Sequence, residues 1–218
     1  MAKLQSTFKN MFLSLFIITL VVATLLAQVN KMTAKPIAAA KALKLENAVK
    51  EVVPEFDNNP VAEAYMMATP DGDSLLVYPA KKGDELVGFA VNSYSNNGFS
   101  GNIQIMVGFD TEERVVNYTV LSHAETPGLG SKMSDWFRDS SKPNQLVIGR
   151  KLSEGKLAVS KDGGQIDAIT ASTITSRAFL EAINRAYQVY KQSDADSGAT
   201  KQNKRDENQR EEGGESHE

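Results

Sequence analysis

Residues 165–176, QIDAITASTITS, lead directly into an amphipathic helical pattern that continues to Tyr190. Five of the last seven residues of this stretch carry hydroxyl groups, at positions 170, 172, 173, 175 and 176. Ser and Thr are common where a helix begins, because their side chains bond unpaired N–H groups of the first turn. The same N–H groups and the helix dipole attract anions. The residues alone leave two interpretations open: an ordinary helix cap, which is the commoner, and an anion site.

The composition of the chain limits what it can bind. The 218 residues include no cysteine, which excludes disulfides, Cys-ligated iron–sulfur clusters and attached c-type haem. The net charge of −3 gives no indication of a nucleic-acid partner. An electron carrier of this composition would need an organic cofactor.

An apolar segment near the N-terminus predicts a membrane anchor. Residues 11–27 are almost wholly apolar, and the charge-free run extends over residues 10–30. A membrane-spanning helix needs about 20 such residues. A cleaved signal peptide is the alternative, but cleavage after Ala27 would place Leu25 where a small residue is required. The sequence therefore favours an anchor that is retained.

The remaining periodicity predicts an α+β domain. Pro36 predicts the start of a helix over residues 37–52, and turn signals separate short apolar runs typical of strands. The predicted strands cover residues 64–68, 75–78, 86–91, 103–109, 115–121, 145–148 and 157–159, with a loop at 92–100, a short helix at 131–137 and a closing helix at 174–190. The predicted organisation is an anchor (1–31), a linker helix (32–61), the domain (62–191) and a disordered polar tail (192–218).

A second notable run, HAETPGLG, occupies residues 123–130. Its glycines allow close approach of the backbone, but their spacing does not match a dinucleotide-binding fingerprint. A tight loop after a strand is the plain interpretation. His123 has no paired nucleophile, so no catalytic residue is predicted, and no metal site is predicted either.

Three blocks of the chain, GFSGNIQIMVGFD, ETPGLG and DAITASTITS, resemble, in this order, the FMN-binding domain family. This domain is shared by the G subunit of Rnf complexes and the C subunit of sodium-pumping NADH:quinone reductases. The resemblance implies that FMN is joined through its phosphate to the hydroxyl of Thr173. Ala171 stands where the family usually has Gly, and Ser172 where it usually has Ala.

The resemblance also implies which residues surround the flavin. Glu125 and Thr126 are predicted polar contacts, with loop-capping hydrogen bonds as an equally good alternative. Trp136 and Phe137 are assigned no site role. The complete predicted cofactor site consists of Glu125, Thr126, Gly128, Leu129, Gly130, Thr170, Ser172, Thr173, Ile174 and Thr175.

A rival attachment residue lies in the predicted tail. The run DADSGAT ends at Thr200 and matches the first seven positions of the family motif more closely by letter. No strand pattern precedes it and no amphipathic helix pattern follows it. The surrounding pattern therefore favours Thr173.

The resemblance implies an electron-carrying subunit of an Rnf-type ion-translocating oxidoreductase, passing electrons between ferredoxin- and NAD-linked partners and coupled to Na⁺ or H⁺ movement. Its partners would be other membrane and iron–sulfur subunits, and a flavin transferase for maturation. Counting the lysines around the span places the domain in the cytoplasm, whereas the resemblance places it outside the inner membrane, and we follow the resemblance. The alternatives are a component like the C subunit of the sodium-pumping reductase, and an anchored sensor or scaffold without redox activity.

Overall fold

The structure, a computed structural model, describes the backbone of residues 7–212 and the side chains of residues 7–192. The described chain divides into two compact units, with the boundary between Glu46 and Asn47. The first unit is formed by helix α1, which runs Phe8–Val52 and so ends inside the second unit. In length and composition, α1 is able to cross a membrane.

Helix α1 differs from the prediction at Pro36. A second helix was predicted to start there, but Pro36 lies inside one continuous helix. Proline lacks an N–H, so the carbonyl of Met32 cannot receive the usual hydrogen bond from Pro36. The flanking residues, which are good helix formers, outweigh this local loss.

The second unit is built on an antiparallel sheet of five strands in the order β1-β2-β3-β4-β5. The strands are β1 (Tyr65–Ala68), β2 (Ser74–Lys82), β3 (Glu85–Gly98), β4 (Gly101–Asp110) and β5 (Val115–His123). Each contains or overlaps one of the first five predicted strands. The predicted loop at 92–100 is wrong for most of its length, because β3 continues to Gly98. Polar residues such as Ser93 fit that strand, since the Ser93 hydroxyl donates to the carbonyl of Ala182 (2.7 Å).

Helix α3 (Thr173–Glu212) covers one face of the sheet. The ring of Phe179 stacks on Phe137, with 4.5 Å between centroids, and meets Tyr118 edge-on at 4.8 Å. The Tyr118 hydroxyl donates to the carbonyl of Met133 (2.8 Å), and burial raises its pKa to about 12. This aromatic core fixes the N-terminal half of α3 against the strands, as the α+β prediction requires.

The end of α1 lies against the opposite face of the sheet. A Cβ on Gly108 would stand only 1.7 Å from the carbonyl oxygen of Val52, so only glycine allows this approach. Val49 and Val52 are buried there.

The segment between β5 and α3 has little regular structure. It contains three short 3-10 turns and α2 (Met133–Trp136), within the predicted short helix. The strands predicted at 145–148 and 157–159 are wrong. Val147 and Val159 are buried as predicted from their apolar character, but the Val147 N–H donates to the carbonyl of Phe137 and Val159 forms only a single bridge. Burial of a short apolar run does not require a neighbouring strand.

The predicted tail at 192–218 lies almost entirely outside the residues whose side chains are described. The helical backbone of α3 continues to Glu212, past the predicted end at Tyr190. Because the side chain of Thr200 is outside the described residues, the prediction for that rival site stays a prediction.

Candidate functional site

The turn before α3 is held by its own hydroxyl residues. The Ser176 hydroxyl donates to the carbonyl of Ser172 (3.0 Å) and accepts from the N–H of Ile169 (2.9 Å). Ser176 is completely buried, whereas Thr173 at the start of α3 is half-buried. The helix starts one residue earlier than predicted. Within one run of hydroxyl residues, Ser176 thus supports the turn and Thr173 remains accessible.

Ala171 adopts a backbone conformation that is unusual for its type. Its φ is +61°, in the left-handed region. This conformation costs a residue with a Cβ roughly 1–2 kcal/mol relative to the right-handed one. The position is the one at which the resembled family usually has Gly, and the positive φ gives a physical reason for that preference.

The loop at 123–130 is closed by local hydrogen bonds. His123 Nδ1 accepts from the N–H of Glu125 (3.1 Å), and the Thr126 carbonyl accepts from Leu129 and Ser131. Gly128 has a φ of +75° and donates its N–H to Ser131 Oγ (2.9 Å). His123 therefore has a structural contact in the loop.

The carboxylate of Glu125 joins three elements of the fold. Oε2 accepts a short hydrogen bond of 2.5 Å from the Thr175 hydroxyl in the first turn of α3. Oε1 accepts from the backbone N–H of Ser100, at the tip of the β3–β4 hairpin (2.9 Å). Glu125 is only 4% exposed. We call this set, the Glu125 carboxylate with the Thr175 hydroxyl and the Ser100 amide, the carboxylate bracket.

Two glycines make room for the carboxylate bracket. A Cβ on Gly130 would lie 2.6 Å from Glu125 Oε2 and 2.8 Å from Thr175 Oγ1. A Cβ on Gly98 would lie 2.7 Å from Glu125 Oε1. Gly128, in contrast, has open space where its Cβ would be. The close approach expected of this loop therefore occurs at Gly130, while Gly128 serves the turn.

A cavity of about 340 Å³ opens beside the carboxylate bracket. Its volume falls in the range of roughly 300–1,000 Å³ that is usual for small-molecule pockets. Three of its side chains are large, apolar and exposed: Phe99 (67%), Leu129 (41%) and Ile174 (48%). We call these three the apolar rim. The other lining residues are Glu125, Thr126, Gly130, Ala171, Ser172, Thr173 and Thr175.

The cavity gathers most of the residues assigned from the sequence. Eight of the ten line it, although they come from two segments that lie about 40 residues apart. Gly128 and Thr170 do not line the cavity. Glu125 does line it, and its two carboxylate oxygens accept hydrogen bonds from Ser100 and Thr175, which belong to other segments of the chain and not to the loop itself.

Sequence reasoning missed two lining residues, Phe99 and Ala171. Phe99 lies in the block GFSG, between two glycines at a hairpin tip, where an exposed aromatic residue has no evident structural purpose. The signal available in the sequence was an aromatic residue between two turn glycines, inside a block that resembles the family. Trp136 and Phe137 are placed elsewhere: Phe137 is in the core, and Trp136 donates its indole N–H to the carbonyl of Asp167 (3.0 Å).

Two cations stand near the start of α3, and they differ in pairing. Arg177 makes two hydrogen bonds to the carboxylate of Asp162 (2.7 and 2.6 Å), which hold the pKa of Asp162 below its usual range. The ammonium group of Lys161 instead donates to Thr173 Oγ1 (3.3 Å). A positive charge therefore lies directly at the hydroxyl that the motif singles out.

Comparison with known proteins identifies relatives of most of the chain. The family model of the FMN-binding domain matches residues 98–188, which include every residue that lines the cavity. The G subunit of the ion-translocating oxidoreductase complex of Yersinia pestis is 38% identical over 175 residues, covering 74% of this chain and 80% of the relative. The G subunit of the same name from Escherichia coli (strain K12) is 36% identical over 174 residues, or 74% and 81% of the two chains.

A further relative has a more specific name. The G subunit of the Na(+)-translocating ferredoxin:NAD(+) oxidoreductase complex of Acetobacterium woodii is 32% identical over 204 residues. The match covers 86% of this chain and 95% of that relative. The similarity therefore extends well beyond the FMN-binding domain.

Proposed function

The chain belongs to the family of G subunits of ion-translocating oxidoreductase complexes, and on that premise we propose that it carries electrons on an FMN esterified to Thr173. The protein is an FMN-binding, electron-transport subunit of a membrane-bound complex. Its partners are the other subunits of that complex. We further propose that a flavin transferase attaches the FMN.

The observation that carries the proposal is the cavity at Thr173. Its wall unites the loop at 125–130 with the start of α3, and Thr173 is a half-buried residue of that wall. The apolar rim suits a flat aromatic ring, which gains from being removed from water. Covalently attached FMN requires two features: a hydroxyl that forms the ester and an apolar cavity that takes the ring.

The backbone at the start of α3 favours a phosphate at this residue. The first amide of the helix bonded to a carbonyl is that of Ser176, to Ser172 (3.0 Å). For residues 173–175, no acceptor of the backbone N–H lies within the part of the chain that is described. Together with the helix dipole, such groups stabilise an anion by about 0.3–1 kcal/mol.

In this proposal the protein positions the cofactor and the cofactor reacts. FMN, when bound, supplies the reversible uptake and release of electrons. The carboxylate bracket fixes the distance between the loop at 125–130 and α3, and this distance sets the width of the cavity. The apolar rim excludes water from one side of the ring. Attachment through the phosphate keeps the flavin with the complex during repeated electron transfer.

Replacement of Thr173 tests the proposal. In cells that make the whole complex and the transferase, the Thr173→Ala protein should show no fluorescent flavin on a denaturing gel and should stop electron transfer through the complex. Thr200→Ala should leave both intact, and Thr173→Ser should be the milder change because it keeps a hydroxyl. Covalent flavin on Thr173→Ala that is lost in Thr200→Ala would move the attachment to the rival residue.

The membrane topology is a second part of the proposal. We expect the anchor in α1 to be retained and residues beyond it to face away from the cytoplasm. Protease added to intact spheroplasts should then digest the flavin domain. Digestion only after permeabilisation would show the opposite orientation, in agreement with the count of flanking lysines.

A further inference from the structure

Lys161 is a cation whose surroundings differ from those of its neighbours. It lies in the 3-10 turn Ser160–Asp162, and its ammonium group is 3.3 Å from Thr173 Oγ1. The carboxylate next to it, Asp162, is already paired in two hydrogen bonds with Arg177. Within residues 7–192, no carboxylate lies within ion-pair distance of Lys161. Its only polar side-chain contact there is the Thr173 hydroxyl.

Two features keep Lys161 at this place. Ser160 donates its hydroxyl to Asp167 Oδ1 (2.8 Å), and its N–H to the carbonyl of Ile166 (2.8 Å), so the turn is tied to the segment that precedes α3. The Asp162–Arg177 pair connects the other side of the turn to the first part of α3. The turn that carries Lys161 is therefore held to both sides of the attachment residue.

We propose that Lys161 binds the phosphodiester of the attached flavin and is a positioning residue for FMN. This inference rests on attachment at Thr173. A phosphodiester at Thr173 carries one negative charge, shared by its two non-bridging oxygens. These oxygens are two bonds from Oγ1, which the Lys161 ammonium group now contacts at 3.3 Å. Arg177 cannot serve in the same way while Asp162 neutralises it. The pairing of Asp162 with Arg177 thus leaves Lys161 as the available counter-charge.

The test compares Lys161→Gln, Lys161→Glu and Lys161→Arg, with Lys156→Gln as the matched control. Lys156 is an exposed lysine of the same segment; like Lys161 it does not line the cavity, but among the described residues it makes no hydrogen bond to Thr173. Two quantities are measured on the full-length protein: the initial rate of attachment by the transferase, and the ³¹P resonance of the flavinylated product. Thermal unfolding of each variant establishes that the domain is folded.

We expect Lys161→Gln to slow attachment about two- to fivefold, the range for an exposed ion pair, and Lys161→Glu to slow it further. Lys161→Arg should be close to the original protein, and Lys156→Gln should be unchanged. The difference between the original protein and Lys161→Gln should shrink with added salt, because the screening length falls from about 10 Å at 0.1 M to about 3 Å at 1 M. The ³¹P resonance should move in Lys161→Gln and stay in Lys156→Gln.

An unchanged ³¹P resonance in Lys161→Gln would overturn the inference, whatever its attachment rate. This failure differs from a failure of the proposed function. Flavin that persists on Thr173→Ala protein would remove the attachment site itself. Loss of flavin from Thr173→Ala, together with an unchanged ³¹P resonance in Lys161→Gln, would remove only the role of Lys161.

Discussion

The two sets of side chains around the cavity, the carboxylate bracket and the apolar rim, are held in opposite ways. The two side chains of the bracket are buried: Glu125 is 4% exposed, Thr175 1%, and the two are joined by a hydrogen bond. The rim is exposed, from 41% at Leu129 to 67% at Phe99. Buried polar groups form hydrogen bonds within the protein. Exposed apolar groups, in contrast, are stabilised only when another surface covers them and removes them from water. The carboxylate bracket therefore sets the shape of the cavity, and the apolar rim is the surface that contacts the ligand.

A methyl group placed in the bracket should have the largest effect. In Gly130→Ala, the new Cβ would stand within 3 Å of both Glu125 Oε2 and Thr175 Oγ1, so that hydrogen bond must break or shift. Leaving a buried acceptor unsatisfied costs about 1–3 kcal/mol of unfolding free energy. We expect that loss in chemical denaturation, together with flavin content reduced at least severalfold.

Gly128→Ala is the control for Gly130→Ala. It places a Cβ in open space but keeps a φ of +75°, so it should lower stability through backbone strain alone. Flavin content per folded molecule should stay normal. A loss of flavin in Gly128→Ala as large as that in Gly130→Ala would show that the carboxylate bracket does not determine whether the cavity binds flavin.

Removal of one rim residue should have an intermediate effect. Phe99→Ala removes an aromatic side chain that contacts the ring in our proposal, an interaction worth about 0.5–1.5 kcal/mol. We expect normal flavin attachment but a rise of about two- to tenfold in the rate at which dissolved iodide quenches the flavin fluorescence.

The control for Phe99→Ala is Met66→Ala, since Met66 is equally exposed (66%) and does not line the cavity. Its quenching rate should match that of the original protein. Equal quenching in the Phe99 and Met66 variants would mean that the rim does not cover the ring.

Relief of the backbone strain at Ala171, which lines the cavity, should have the smallest effect. Ala171→Gly removes the cost of a left-handed alanine, roughly 1–2 kcal/mol, but increases the entropy of the unfolded chain by about 0.4–1 kcal/mol. The unfolding free energy should therefore rise by up to about 1.6 kcal/mol. Ala124→Gly, at an exposed position outside the left-handed region, should instead be neutral or destabilising. Equal effects of the two substitutions would contradict strain at Ala171.

Local patterns were sufficient to predict the elements that form the cavity. The five sheet strands and the amphipathic start of α3 follow from apolar periodicity, which burial imposes directly on the sequence. The buried runs around Val147 and Val159 show the limit of this method, because the same apolar signal arises in irregular backbone. Pro36 shows another limit, since a local signal to start a helix was overridden by its neighbours.

The site was predictable at the level of its segments but not of its contacts. Resemblance selected the loop at 125–130 and the start of α3. It could not show that Glu125 bonds Thr175 and Ser100, because these residues are far apart in sequence and meet only in the folded domain. The contact between Lys161 and Thr173 was hidden for the same reason. Phe99 and Ala171 became visible through exposure and backbone conformation, neither of which the sequence displays.

The most direct test of the central claim is peptide mass spectrometry of the protein from its native membrane. Trypsin separates the two candidate threonines, because cleavage after Lys161 and Arg177 releases residues 162–177 and cleavage after Lys191 and Lys201 releases residues 192–201. We predict that the mass of FMN less one water is on peptide 162–177, and that fragmentation places it on Thr173 rather than on another hydroxyl of that peptide. Flavin on peptide 192–201, with peptide 162–177 unmodified, would contradict the claim that the cavity at the start of α3 is where the protein holds its flavin.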